Sequence, residues 1–215
     1  MTQKTALIAG ASGLIGQELV KYLLNSSLYD KVIILVRRKT DLEHAKLIQE
    51  IVDYKNLDLS KIKADHVFCT LGTTLKKAGS KEAFREVDEL FPQQVARQSY
   101  KNGAEMYCIV TAMGANAGSS IFYNKVKGEV ENDLQKIGFK HLGIFRPSML
   151  LGDRKESRLG EEIGQTVMAW LNFLTPSDYK AIHVKKVAFA MLQYAEKPKK
   201  GLSIVLSGEM VTLKV

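Results

Sequence analysis

The stretch Gly10-Ala11-Ser12-Gly13-Leu14-Ile15-Gly16 (GASGLIG) decides the fold. It follows a short apolar run, Thr5 to Ala9, and opens a helical pattern from Ile15 to Leu24; the β-branched run Lys31 to Val36 (KVIILV) then reads as a second strand. Strand, glycine-rich turn, helix and strand make a βαβ unit. In that setting one glycine permits the tight turn, another lets backbone approach a phosphate, and the third lets helix and strand pack closely. The helix N-terminus adds unpaired N–H groups and the positive end of its dipole. The string is weak by itself, but at this place in a βαβ unit it predicts a pyrophosphate-binding loop.

The end of the second strand then chooses the cofactor. An NAD-selective fold puts Asp or Glu there to accept from the ribose 2′-OH. This chain has Arg37 and Arg38, while Asp30 precedes the strand and sits at the wrong end of the sheet. Guanidinium groups suit a 2′-phosphate and stack on adenine, so NADP(H) is expected over NAD(H).

Working outward, strand-like and helix-like runs keep alternating. Thr40 and Glu43 (TDLE) form a capping box that predicts a second helix, and Asp65 to Leu71 reads as a buried strand. Ser80 can cap a long helix toward Ser99, with Gly103 past its end. Glu105 to Thr111 is the next strand, Ile121 to Ile137 a helix closed by Gly138, and His141 to Arg146 a strand stopped by Pro147. Beyond about residue 148 come an apolar helix near Glu161 to Leu174, a helix near Val184 to Glu196 and a last strand near Leu202 to Leu206. Continuous apolar strands imply a parallel sheet covered on both faces. The expectation is an α/β, three-layer, doubly wound Rossmann fold with a mostly parallel sheet. Residues 1–215 form a single domain, and about 148–215 form a small C-terminal substrate lobe.

The composition suits one globular domain: 215 residues, 46% hydrophobic and 25% charged. The net charge of +8, from 31 basic and 23 acidic residues, suits an anionic partner. The basic clusters (Arg37 to Lys39, Lys76-Lys77, Lys197 to Lys200) are short and not interleaved with aromatics, which argues against nucleic acid. Cys69 and Cys108 each sit in an apolar run, as reduced buried thiols do. The four histidines lack metal-site spacing, so no metal is expected. The opening imitates a signal peptide, but the glycines and Glu18 mark it as strand and loop. With no segment apolar enough to span a bilayer, a soluble, cytoplasmic protein is expected.

Chemistry is suggested by Tyr123 and Lys127, four positions apart on one face of a predicted helix. An ammonium beside a phenol, aided by the positive nicotinamide of oxidised cofactor, favours phenolate. Tyr123 can then exchange a proton with a carbonyl or alcohol oxygen while the cofactor handles hydride. Thr111 ends the strand EMYCIVT, where its hydroxyl could hold the reacting oxygen.

GASGLIG, Arg37 and Arg38, LGTT at 71 to 74, YNKVK at 123 to 127 and Arg146-Pro147 together resemble the atypical short-chain dehydrogenase/reductase superfamily. LGTTLKKAGS, VKGEVE and FRPSMLLGDRKESRLGE bring the likeness closest to its TIP30-like (HTATIP2-type) oxidoreductases, across nearly the whole chain. The resemblance implies that Gly10, Ser12, Gly13, Leu14, Ile15, Gly16, Arg37 and Arg38 grip the cofactor. It puts Asp53 near adenine, Leu71, Gly72 and Thr73 along the ribose and nicotinamide, Arg146 among the cofactor residues, and Tyr123 and Lys127 at the reaction centre. Where relatives carry a serine pair, this chain has Thr111-Ala112 and so loses one hydroxyl.

The first functional reading is an NADPH-dependent oxidoreductase of a small carbonyl or alcohol substrate. A competing one is a non-catalytic NADP(H)-binding sensor or regulatory module that docks to a partner. The third, a nucleotide-sugar epimerase-like enzyme, ranks last because roughly 65 residues after Leu150 (215 − 150) leave a small substrate lobe. Val167, Trp170, Leu171, Phe173 and Leu174 either line a crevice or pack on the core or a second subunit, so a protein partner or homo-oligomer stays open. His183 is read as structural.

Overall fold

A computed structural model describes residues 3–152 and 180–214. The apolar helix expected over Glu161 to Leu174 lies outside them. Strand β1 (Lys4–Ala9) is followed by α1 (Leu14–Asn25), β2 (Tyr29–Val36), β3 (Leu47–Ile51) and β4 (His66–Cys69). Next come α2 (Leu75–Ala78), α3 (Lys81–Arg85), a π-helical turn (Glu86–Leu90), α4 (Phe91–Lys101), β5 (Met106–Val110), α5 (Phe122–Gln135) and β6 (His141–Arg146). The short pair β7 (Leu150–Leu151) and β8 (Ile182–His183) precedes α6 (Val184–Glu196), β9 (Gly201–Leu206) and α7 (Ser207–Val211).

Among the described residues the main sheet has seven strands in the order β3-β2-β1-β4-β5-β6-β9. Every neighbouring pair in it is parallel. The chain runs outward from β1 to β3 and then returns to β4 on the other side. That reversal opens a crevice at the carboxyl ends of β1 and β4, where such sheets bind ligands.

Alternation along β1 builds the two halves of the core. Ala6 and Ile8 face α1 and α6, packing with Leu19, Leu23, Val187 and Met191. Leu7 and Ala9 face the other layer, with Val67, Val95, Val130 and Leu134. Buried on both faces, these strands cannot show a polar side, which is why they read as unbroken apolar runs. Cys69 and Cys108 lie fully inside as free thiols, and burial pushes the pKa of both up, that of Cys108 well above the ordinary thiol value.

Two expected elements change. The TDLE capping box starts no helix: Thr40 to Lys46 is loop, and the chain enters β3 instead. Gln49 of β3 explains the capture. Its side chain accepts from the Thr40 N–H at 2.9 Å and donates to the Thr40 and Leu42 carbonyls, taking over the groups a capped helix would use. The long helix does begin at a Ser80 cap, whose Oγ accepts from the Ala83 N–H at 3.0 Å. It is interrupted by the π turn because Pro92 has no N–H for the carbonyl four residues back. The Phe91 N–H bonds the Glu86 carbonyl, five residues back, instead.

Candidate functional site

The glycine loop crosses the carboxyl end of the sheet under tight constraint. Gly10 has φ +92°, and a Cβ there would lie 2.7 Å from the Leu71 backbone nitrogen. A Cβ at Gly16 would lie 2.2 Å from the Gly10 carbonyl oxygen, so α1 can approach β1 this closely only without a side chain. The Thr70 hydroxyl donates within reach of the Ala9 and Gly10 carbonyls, fastening the end of β4 to the loop. Ser12 and Gly13 are exposed, and no side chain caps the start of α1. An uncapped helix N-terminus beneath an exposed glycine turn fits a pyrophosphate.

At the outer side of this crevice, β2 and β3 deliver the residues expected near adenine. Arg37 and Arg38 follow β2 directly and are exposed. The Val52 N–H donates to the Val36 carbonyl at 2.9 Å, so Asp53 emerges beside the arginines. Its carboxylate accepts from the Lys55 N–H at 3.0 Å and the Asn56 side chain at 2.8 Å, and the backbone bond first of all holds it below the usual carboxylate range. Tyr54 beyond it is buried against Phe91, with ring centroids 5.3 Å apart.

On the inner side, α5 carries Tyr123 and Lys127. Tyr123 is half-buried against Phe84, their ring centroids 5.7 Å apart, and the Lys127 ammonium stands 5.9 Å from the tyrosine ring centre. Lys127 is itself buried. Its Nζ meets Asp88 Oδ1 at 2.7 Å, an ion pair at full contact. Between opposite charges at that range distance governs the attraction. Asp88 Oδ2 accepts the Thr73 N–H at 2.8 Å, which joins the loop after β4 to the same carboxylate. Burial alone would push the Lys127 ammonium down, but Asp88 first and Tyr123 next outweigh it, and the amine is held above its ordinary value.

Thr111 and Arg146 belong to a different group. The Thr111 hydroxyl is buried and donates to Glu131 Oε1 at 2.6 Å, so it turns under α5 and away from the crevice. Arg146 Nε donates to the same Oε1 at 3.1 Å, and its Nη2 donates to Oε2. The exposed side of Arg146 lines a polar cleft of about 410 Å³ with Asn116, Gly118 and Asn132. His183 caps α6, its Nδ1 accepting from the Lys185 N–H at 3.2 Å.

The sequence reading thus brings together the glycine loop, Arg37, Arg38 and Asp53 at one end of the crevice and Leu71 to Thr73, Tyr123 and Lys127 at the other. It missed Asp88 and Glu131. Glu131 lies one turn beyond Lys127 on α5, a position that could have marked it as facing the sheet. Asp88 carried no such mark, because Glu86 to Glu89 reads as a solvated acidic face.

The sequence profile of the NAD dependent epimerase/dehydratase family matches residues 6–136. The chain is 34% identical over 223 residues to Protein FMP52, mitochondrial, from Candida albicans, covering 97% of each protein. It is 35% identical over 217 residues to Protein HTATIP2 from Rattus norvegicus, covering 98% of this chain and 89% of that one. This bears out the TIP30-like resemblance. Among solved structures, WbmH of Bordetella bronchiseptica in complex with NAD+ superposes with a TM-score of 0.72 at 17% identity, over 95% of this chain and 76% of that one. The UDP-N-acetylglucosamine 4-epimerase of Methanobrevibacter ruminantium in complex with UDP-N-acetylmuramic acid gives 0.72 at 19%, over 96% and 77%. Both bear out the Rossmann fold. The cytoplasmic expectation is overturned, since the FMP52 relatives are named mitochondrial and the lack of an apolar spanning segment, on which it rested, does not fix a compartment. No described helix is long and apolar enough to cross a membrane. With its profile spanning most of the sheet and its relatives aligned end to end, the chain belongs to the NAD dependent epimerase/dehydratase family.

Proposed function

We propose that this protein is an NADP(H)-dependent oxidoreductase of the short-chain dehydrogenase/reductase type, acting on a small carbonyl or alcohol. The observation that carries the reading is the pairing of Tyr123 with a buried, protonated Lys127 beside the Leu71 to Thr73 loop, across the crevice from an uncapped glycine turn. When bound, the dinucleotide supplies or accepts the hydride. The glycine loop and the start of α1 hold its pyrophosphate, and Arg37 and Arg38 hold a 2′-phosphate. Tyr123 Oη gives a proton to the substrate oxygen in reduction and takes it back in oxidation. Lys127 stabilises the negative charge left on that phenol oxygen.

A non-catalytic NADP(H)-binding module is favoured by one feature: the Thr111 hydroxyl is committed to Glu131 and the next residue is Ala112, so this strand end offers no hydroxyl to a carbonyl. The names of the FMP52 relatives support a mitochondrial address under either reading.

Tyr123→Phe separates the two. Measured with a panel of aldehydes and ketones, the enzyme loses at least a hundredfold in NADPH oxidation while its affinity for NADPH stays within threefold of the unsubstituted protein. Unchanged turnover in the variant, or none in the unsubstituted protein across the panel, rejects the catalytic reading.

A further inference from the structure

We propose that the substrate side of this crevice takes a carbonyl carried on an apolar chain, held between Ile121 on one wall and Met149 and Leu151 on the other. The inference rests on the reading that Tyr123 meets a carbonyl oxygen here.

The polar side chains at the carboxyl ends of β5 and β6 are committed elsewhere. Thr111 and Arg146 both donate to Glu131 beneath α5. Ser148 donates to the Lys180 carbonyl and shares a second bond with the Ser207 hydroxyl at 2.9 Å. A hydroxyl has one proton, so Ser207 donates that second bond and Ser148 keeps no donor for a ligand. Ala112, Met113, Pro147 and Met149 are the other residues at these two strand ends. The two ends stay side by side, because the Met113 N–H donates to the Pro147 carbonyl at 2.9 Å.

Strand alternation makes the wall beyond β6 apolar. Leu150 packs into the core with α1 and α6, so Met149 and Leu151 project from the opposite face of that segment, 46% and 39% exposed. The Ile182 N–H donates to the Met149 carbonyl at 2.8 Å, which fixes the segment beside β8. A Cβ at Gly152 would lie 3.7 Å from Leu14 Cδ1, so the chain returns from the end of β6 to the glycine loop and bounds that side of the crevice. Facing it, Ile121 precedes α5, two residues before Tyr123, and is 60% exposed. Large apolar side chains left exposed at a crevice mark a place for an apolar ligand, and a methionine adapts to chains of different shape. Burial of the chain then orients the carbonyl in place of a strand-end hydroxyl. Reduction adds a hydride from NADPH to the carbonyl carbon and a proton from Tyr123 to its oxygen, leaving an alcohol and NADP+.

The test uses straight-chain amides, which carry the carbonyl but are not reduced. Butanamide to octanamide are titrated calorimetrically into the protein with and without saturating NADPH, and the matching aldehydes are assayed for NADPH oxidation. Affinity should rise on the order of fourfold per methylene, and kcat/KM with it. The double substitution Ile121→Asn and Met149→Asn should cut the rise to about twofold or less per methylene while NADPH affinity stays within about threefold; both side chains are exposed, so the fold does not depend on them. A flat series in the unsubstituted protein, tighter binding of UDP-glucose than of octanamide, or a steep series that the double substitution leaves unchanged overturns the proposal. Amides that bind by chain length without any aldehyde turnover support this site and reject the catalytic reading. Aldehydes turned over without regard to chain length support the catalytic reading and overturn this site.

Discussion

Thr111 donates its hydroxyl to Glu131 at 2.6 Å, and through that carboxylate the end of β5 is tied to Arg146 at the end of β6. Glu131 is 2% exposed, so its carboxylate oxygens rely on these partners in place of water. Thr111→Val keeps the shape and removes one of them. The expected loss is about 1 to 3 kcal/mol of stability in a urea melt, with NADPH affinity within twofold. Thr111→Ser should restore most of the stability. A Thr111→Val protein of normal stability that has lost turnover would return Thr111 to the reaction centre.

The proposed preference for NADP(H) rests on Arg37 and Arg38, exposed at the end of β2 beside Asp53. NADPH should bind at least tenfold tighter than NADH, a difference of about 1.4 kcal/mol. Replacing both arginines with alanine should erase the difference by weakening NADPH while leaving NADH within threefold. Equal dissociation constants in the unsubstituted protein would sink the preference.

Gly16 has no room for a side chain, with the Gly10 carbonyl oxygen 2.2 Å from where a Cβ would stand and the Ala11 Cα at 2.9 Å. Both obstacles are backbone, which cannot rotate aside. Gly16→Ala should therefore shift α1 off β1 at a cost of about 1 to 3 kcal/mol and abolish detectable NADPH binding, since the displaced loop no longer presents its N–H groups to a phosphate. Calorimetric melting with a parallel titration reads both effects, and a variant that binds normally would show that the loop tolerates the shift.

These residues also show how far the sequence could be read. The glycine loop was legible because its tight turn and close helix approach are local backbone demands, and so were strands buried on both faces, whose apolar runs need no long-range knowledge. The Thr40 capping box misled because the same groups were claimed by Gln49 from the next strand, a competition that local pattern cannot weigh. The reading of one long helix from Ser80 passed over Pro92, whose missing N–H is a local signal for a break, and the inward turn of Asp88 follows from packing against α5. The partnership of Asp88 with Lys127 joins segments far apart in the chain, and each residue alone looks like ordinary helix-surface charge. Thr111 was placed correctly at a strand end, but which way its hydroxyl turns depended on Glu131, which arrives from another helix.

His66 gives the last prediction, at the end of the sheet opposite the crevice. It is 1% exposed, with Lys4 Nζ 2.8 Å from its Nε2 and Tyr29 Oη 2.8 Å from its Nδ1. An ammonium can only donate, so Nε2 accepts and the neutral ring donates from Nδ1 to the tyrosine. A second ring proton would have to displace Lys4, and burial first, with Lys4 next, pushes the imidazole down from 6.5 to about 4. The unfolded chain takes up this proton below about pH 6.5 and the folded one only near pH 4, so between those values the unfolded state binds more protons and acid favours it. The contribution is fully present above pH 6.5 and is lost as pH falls toward 4, a drop of about 3 kcal/mol from this residue. Urea melts at half-unit steps from pH 7 to 4 should show that slope in the unsubstituted protein and a shallower one in His66→Gln, where no proton is exchanged. Parallel curves for the two proteins would mean that the acid sensitivity of the fold lies elsewhere.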